Sequence, residues 1–306
     1  MSKHVSLILL AALSGIALRV WAGESFLTEV APGVYLHRGQ HADVDDAARG
    51  DSANLGVVIG TRCVAVIDTG GSLATGQALL SAIRAVSDRP VCFVINTHVH
   101  FDHVLGNAAF VAAGTEFIGH QNLVTAMLAN REYFAAAFAA ELGGAGHGEK
   151  VIAPTRGVKD QQTLDLGERS LRLVAVPLAH TATDLTVLDD KTHTLFSGDL
   201  VFRERLPVLD GSLKGWLAWL DTAMRAPYAR VVPGHGPVDE AWPAGALPEL
   251  VYFKALLHET RAAIAKGMLM EDAKETIAAR ERSHWQLTTR AHPLNVSRAF
   301  RELEWE

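Results

Sequence analysis

The sequence predicts an α/β protein of two similar halves, stacked sheet to sheet with helices outside. Two observations carry that expectation. A strand, helix, strand run near the start has the length of a βαβ unit, and β-rich stretches give way to helices once in each half.

The elements follow in order. "GVYLHRG", "ANLGVVIG" and "CVAVIDTG" are short β-branched runs bounded by Gly, the pattern of strands. "LATGQALLSAIRAVS" places Leu79, Leu80, Ile83 and Val86 on one helical face, and "VCFVINTH" returns to strand. "VLGNAAFVAAG" reads as the start of a helix, and "NLVTAMLANREYFAAAFAAEL" as one long Ala-rich helix closed by "GGAGHG". This 121–142 segment either covers a site as a lid or packs. "SLRLVAVPL", "DLTVLDD" and "HTLFSGDL" are consecutive strands, "GSLKGWLAWLDTAMRA" a helix, and "ARVVPGHG" a strand with a Gly turn. "LPELVYFKALLHETRAAIAKG" and further charged helices fill the C-terminal stretch.

The chain has 306 residues, 49% hydrophobic and 20% charged, an ordinary globular composition. Residues 1–22, with a short basic start, the apolar run "VSLILLAALSGIAL" and Val20-Trp21-Ala22 at its end, match a secretory signal peptide, leaving 23–306 as one domain. An exported, periplasmic protein is the expectation. The net charge of −6, without a Lys/Arg run longer than two, lacks the footprint of a nucleic-acid binder. Cys63 and Cys92 each sit near the start of an apolar β-rich run. Buried free thiols are favoured there, although an exported protein can also join them.

"HVHFDH", His98 to His103, stands at the end of the second predicted strand, where open α/β sheets place their sites. With 14 His and 17 Asp in the chain, an H-x-H-x-D-H run arises by chance in about one or two chains per thousand. Side chains alternate in an extended segment, so His98 and His100 share a side and can grip one ion. A turn at Phe101-Asp102 aims Asp102 and His103 at a second point. Two half-filled metal sites result. His180, Asp199 and His235 complete them, each where an apolar strand meets a turn, His235 between glycines that allow close backbone approach. Asp68 also ends a strand and reads as a hydrogen-bonding residue that orients the histidine loop; the alternative is a turn-capping Asp.

Asp68, "HVHFDH", His180, Asp199 and His235, in that order, resemble the motifs of the metallo-β-lactamase superfamily from about Gly33 to Pro237. The resemblance implies a four-layer αβ/βα sandwich with metals at one edge of the sheets. It also implies His98, His100 and His180 on a first metal, Asp102, His103 and His235 on a second, and Asp199 bridging them. True β-lactamases usually carry Cys or Ser at the Asp199 position, so the bridging Asp and "THVHFDHVLGN" look more like glyoxalase II. "DTGGS", "INTHVHFDHVLGNAAF" and "LDGSLKGWLAWLD" resemble the exported quinoprotein relay system zinc metallohydrolases most, which implies a setting near quinone-dependent dehydrogenases and not a reaction.

The function expected is hydrolysis of a small activated acyl compound, such as a thioester or lactone, by two Zn²⁺ ions, with Asp102 or Asp199 handling the proton. Two alternatives stand beside it. A persulfide dioxygenase-like enzyme would hold one iron on His98, His180 and Asp199, since His and carboxylate suit either metal. An accessory protein of a periplasmic quinoprotein system would use the metal structurally. A nuclease is disfavoured by the charge. His37 and His41 read as surface or pocket-rim residues, His193 as solvated, and His120, His147, His258, His284 and His292 lack partner spacing. Arg203, Arg205, Lys214 and Trp216 follow Asp199 and can line a pocket, with Trp216 favoured as a core residue.

Overall fold

A computed structural model describes residues 25–111 and 114–306; the signal-peptide expectation falls outside them. Seven strands form the first sheet: β1 (Thr28–Ala31), β2 (Val34–His37), β3 (Leu55–Ile59), β4 (Val64–Ile67), β5 (Val91–Ile95), β6 (Glu116–His120) and β7 (Arg156–Val158). They pair in chain order, antiparallel from β1 to β4 and parallel from β4 to β7. The second sheet runs β12 (Arg230–His235), β11 (Thr194–Phe202), β10 (Leu185–Asp189), β9 (Ser170–Ala175) and β8 (Gln161–Asp165), parallel only between β11 and β12.

Strand alternation builds four layers. Val58, Ala65, Ile67 and Ile95 point inward and meet Leu171, Leu185, Val187 and Phe196 of the second sheet. Their neighbours Val57, Val64, Val66 and Val94 point outward against α1 (Leu73–Val86), which presents Leu79 and Ile83. On the opposite outer face, Leu195, Phe202 and Val231 pack under α5 (Leu213–Ala223), α6 (Leu247–Ala265) and α9 (Thr288–Leu303). Trp216, Tyr252, Phe253 and Phe300 fill that layer. Burying one such large side chain contributes about 1.5–3 kcal/mol.

Three expectations change. The 121–142 helix is two helices, α3 (Gln121–Ala129) and α4 (Arg131–Ala137), because the Asn130 amide donates to the Ala126 carbonyl at 2.8 Å and ends the first. Phe134 and Phe138 pack inward, while Tyr133 is exposed at a cleft rim, so the segment both packs and covers. "VLGNAAF" forms only the end of the one-turn α2 (Phe101–Val104) and a 3-10 turn. Cys63 and Cys92 are joined rather than free. β4 and β5 pair in parallel and bring their Cα atoms to 5.8 Å, within disulfide range. The short C-terminal helices α7 (Met270–Ala273) and α8 (Ala279–Arg282) precede α9.

Candidate metal centre

The site lies where both sheets end. β5 stops at Ile95, residues 96–100 run on without regular structure, and α2 begins at Phe101, so His98 and His100 fall before the turn and Asp102 and His103 after it. Asp199 lies within β11 and His235 ends β12. His180 sits in the loop between β9 and β10.

The structure gathers these residues into two groups of converging ligand atoms, each within 4.8 Å: His98, His100, His180 and Asp199, then Asp102, His103 and His235. Asp199 stands between them. Its Oδ2 lies 3.6 Å from His98 Nε2, 3.4 Å from His180 Nε2 and 3.3 Å from His235 Nε2, and its Oδ1 lies 3.1 Å from His103 Nε2.

Glycines make that crowding possible. Gly198 has φ +53, and a Cβ there would lie 2.7 Å from the Thr97 side chain. A Cβ on Gly234 would overlap Asp199 Oδ1. Buried Asn54 donates to the carbonyls of Pro233 and Gly236, both at 2.8 Å, and fixes the turn around His235.

Each histidine spends its far nitrogen on an outer acceptor. His180 Nδ1 donates to the Val208 carbonyl at 2.7 Å, and His235 Nδ1 to the Ser52 carbonyl at 2.8 Å, with the Arg205 guanidinium packed beside it at 3.2 Å. His103 Nδ1 donates to Asp68 Oδ2 at 2.8 Å. His98 Nδ1 donates to Thr97 Oγ1 at 3.0 Å, whose own hydrogen goes to Asp68 at 2.7 Å. His100 Nε2 donates to Asp210 at 3.2 Å. Carbonyls and carboxylates only accept, so this fixes the tautomers and leaves bare lone pairs facing the centre. His98 Nε2, His103 Nε2 and Asp199 Oδ1 are buried there without a hydrogen-bond partner. His100 Nδ1 and His180 Nε2 are 3.0 Å apart, which requires either a shared proton or a cation. Such orphaned, converging N and O atoms fit a divalent metal.

Crowding and burial shift the groups of this cluster in opposite directions. Burial, then His103, pushes His98 well below the usual imidazole range, and burial with His100 lowers His180 to about 3. Against burial, His235, His103 and His98 hold Asp199 well below the carboxylate range. Burial likewise opposes but does not prevent the rise of His103, held up by Asp199, Asp68 and Asp102.

A cleft of about 470 Å³ opens onto Asp102, Asp199 and His235. Val99, Phe101, Phe134, Arg205, Arg290 and Leu294 are among the residues that line it. Of Arg203, Arg205, Lys214 and Trp216, only Arg205 lines the cleft, and among the described residues no carboxylate lies within 4.0 Å of its guanidinium. Arg203 braces the Pro237 and Val238 carbonyls, Lys214 pairs with Glu306, and Trp216 is buried with its ring 5.1 Å from that of His180.

Asp68 accepts from Thr97 N, Thr97 Oγ1 and His103 Nδ1, so it orients the loop and does more than cap a turn. Sequence reasoning missed Asp184, Asp210 and Asn54. Asp184, raised to about 7 by burial, takes the Thr181 N–H and hydroxyl and shapes the turn after His180. Its place in "HTATD" is a turn signal, while Asp210 and Asn54 carry none. His37 bonds Asp51 at 2.6 Å and His41 bonds Glu204 at 2.9 Å, both apart from the metal groups.

Residues 48–235 match the family model described as the metallo-beta-lactamase superfamily. The chain belongs to that superfamily. A metallo-beta-lactamase from Pontibacter korlensis superposes with a TM-score of 0.59 at 20% identity, covering 74% of this chain and 98% of that one. The stereoselective inverting sec-alkylsulfatase Pisa1 from Pseudomonas sp. superposes with a TM-score of 0.64 at 17% identity, covering 92% of this chain. This chain spans 50% of that sulfatase. A stretch of 47 residues is 38% identical to the linear primary-alkylsulfatase of Pseudomonas sp., which is 15% of this chain and 9% of that protein. The structural likenesses establish the shared fold, a two-sheet sandwich flanked by helices.

Proposed function

We propose that the protein is a two-metal hydrolase acting on a small anionic compound with an apolar chain. The observation that carries this is the pair of ligand groups sharing Asp199, with every histidine lone pair aimed inward by an outer hydrogen bond. His98, His100 and His180 would hold one ion, Asp102, His103 and His235 the other, and Asp199 both. Two Zn²⁺ ions so held would supply an activated water and polarise the scissile carbonyl.

The chain's own residues do the rest. Asp102 lines the cleft, anchors one oxygen on Ser52 Oγ at 2.8 Å and keeps Oδ1 free of hydrogen bonds among the described residues. That oxygen takes the proton of the attacking water and returns it to the leaving group. Asp199 is hemmed in by four imidazoles and stays a ligand. Arg205 pairs with a substrate anion, and Val99, Phe101 and Phe134 take its apolar part.

Thioesters and lactones are the leading substrates. Alkyl sulfate esters are a second reading, favoured by the short match to the primary-alkylsulfatase and by a cleft lined both by Arg205 and by Val99, Phe101 and Phe134. The Cys63 to Cys92 disulfide supports an oxidising compartment and so an exported protein. The test is a panel of thioesters, lactones, β-lactams and alkyl sulfates with zinc-loaded protein. Turnover of an anionic ester is expected, and no turnover across the panel would remove the proposal.

A further inference from the structure

We infer that the C-terminal helix α9 is a splint that sets the His100 and His180 half of the metal centre through Asn295 and Arg298. The inference rests on the two-metal reading above and adds a control point outside the matched residues 48–235.

Asn295, Arg298 and Glu302 recur at i, i+3 and i+7, which puts them on one face of α9. That face meets the loop from 206 to 212 and the start of α5. Buried Asn295 receives the Leu209 N–H on its oxygen at 2.8 Å and donates to the Pro207 carbonyl at 2.8 Å. Its amide therefore clamps both sides of Val208, whose carbonyl takes the His180 Nδ1 hydrogen. Tyr252 of α6 fixes the amide in turn, accepting from Asn295 at 3.1 Å and contacting His292 Nδ1 at 3.0 Å.

One turn on, Arg298 Nη2 binds Asp210 Oδ1, leaving Oδ2 to receive His100 Nε2 at 3.2 Å. Glu302 completes the strip, accepting from Ser212 Oγ at 2.6 Å and Leu213 N at 2.7 Å. The outer partners of the other group come from elsewhere: Asp68 for His103 and Ser52 for His235. Asn295 and Arg298 are thus positioning residues for one half of the centre only. Partners bonded directly to a ligating histidine change metal affinity by about 10- to 100-fold when removed; Asn295 and Arg298 stand one bond behind those partners, so their effect is smaller.

The experiment is zinc titration of the full chain against a chromophoric chelator, for wild type, Arg298→Ala, Arg298→Lys and Asn295→Ser. Arg298 is partly exposed, so its variants are expected to fold even where a change at buried Asn295 does not. The wild type should take two ions; if it takes none, the two-metal reading fails and the splint with it. In Arg298→Ala one of the two affinities should fall severalfold, up to about tenfold, the lower end of what losing a direct partner costs, with Arg298→Lys recovering most of it. His235→Ala assigns the site, because it cripples the opposite group. Adding Arg298→Ala to it should weaken the single remaining ion by the same factor. If the wild type binds two ions and Arg298→Ala leaves both affinities unchanged, weakens both equally, or leaves the remaining ion of the double variant unaffected, the splint is refuted while the two-metal reading stands.

Discussion

Asp68→Asn tests the opposite half of the centre. Asp68 is 2% exposed and takes three hydrogens: Thr97 N on Oδ1 at 2.8 Å, then Thr97 Oγ1 at 2.7 Å and His103 Nδ1 at 2.8 Å on Oδ2. An asparagine must keep its oxygen on the Thr97 N–H, because a backbone donor cannot be turned round. Its NH₂ then faces the Thr97 hydroxyl, which can rotate, and His103 Nδ1, which cannot keep its hydrogen. His103 is driven to the other tautomer, and the new hydrogen on Nε2 points at Asp199 Oδ1, 3.1 Å away. The lone pair meant for the metal is lost. Leaving one buried donor opposed costs about 1–3 kcal/mol of stability, and zinc affinity at the Asp102, His103 and His235 group should fall about 10- to 100-fold. Chelator-competition titration measures the second effect and thermal unfolding of the metal-stripped protein the first. Two zinc ions bound with wild-type affinities would refute the tautomer argument.

Other outcomes follow from the same geometry. Arg205→Ala should raise KM for anionic substrates about tenfold or more while leaving zinc content at two, the loss of one charge-assisted contact worth roughly 1.5–3 kcal/mol; equal KM values for wild type and variant would show that the guanidinium does not meet the substrate. His292 is lowered to about 4, by burial first, so the folded protein resists a proton that the unfolded chain accepts near 6.5. Its contribution is therefore complete above pH 6.5 and lost as pH falls toward 4, at up to about 1.4 kcal/mol per pH unit. His292→Asn should lose less stability than wild type between pH 7 and 5, and an unchanged slope would contradict this. Reducing the Cys63 to Cys92 bond, which spans a sequence separation of 29, should cost about 2–4 kcal/mol; an unfolding midpoint indifferent to reductant would argue against the bond.

The "HVHFDH" cluster was legible because ligand chemistry was concentrated where a strand had to end. Its partners His180 and His235 could be found by the same rule, each at the end of an apolar run, whereas Asp199 sits inside β11, which continues through Leu200 and Val201 to Phe202. Asn295, Arg298 and Asp210 could not. They are ordinary polar residues in a helix and a loop, and their role exists only once segments 88 residues apart meet. The two-half sandwich was readable from strand and helix order, but strand neighbours were not, so the joining of Cys63 and Cys92 across β4 and β5 stayed hidden. The long Ala-rich pattern concealed the break at Asn130, where one side-chain amide outweighs the propensity of its neighbours.

The most direct test of the central claim is metal analysis of protein purified without added metal and again after zinc titration. Two zinc ions per chain after titration, falling toward one in both His235→Ala and Asp199→Ala, are predicted. A single bound iron that zinc does not displace, or two zinc ions retained by Asp199→Ala, would contradict a two-metal centre shared by Asp199.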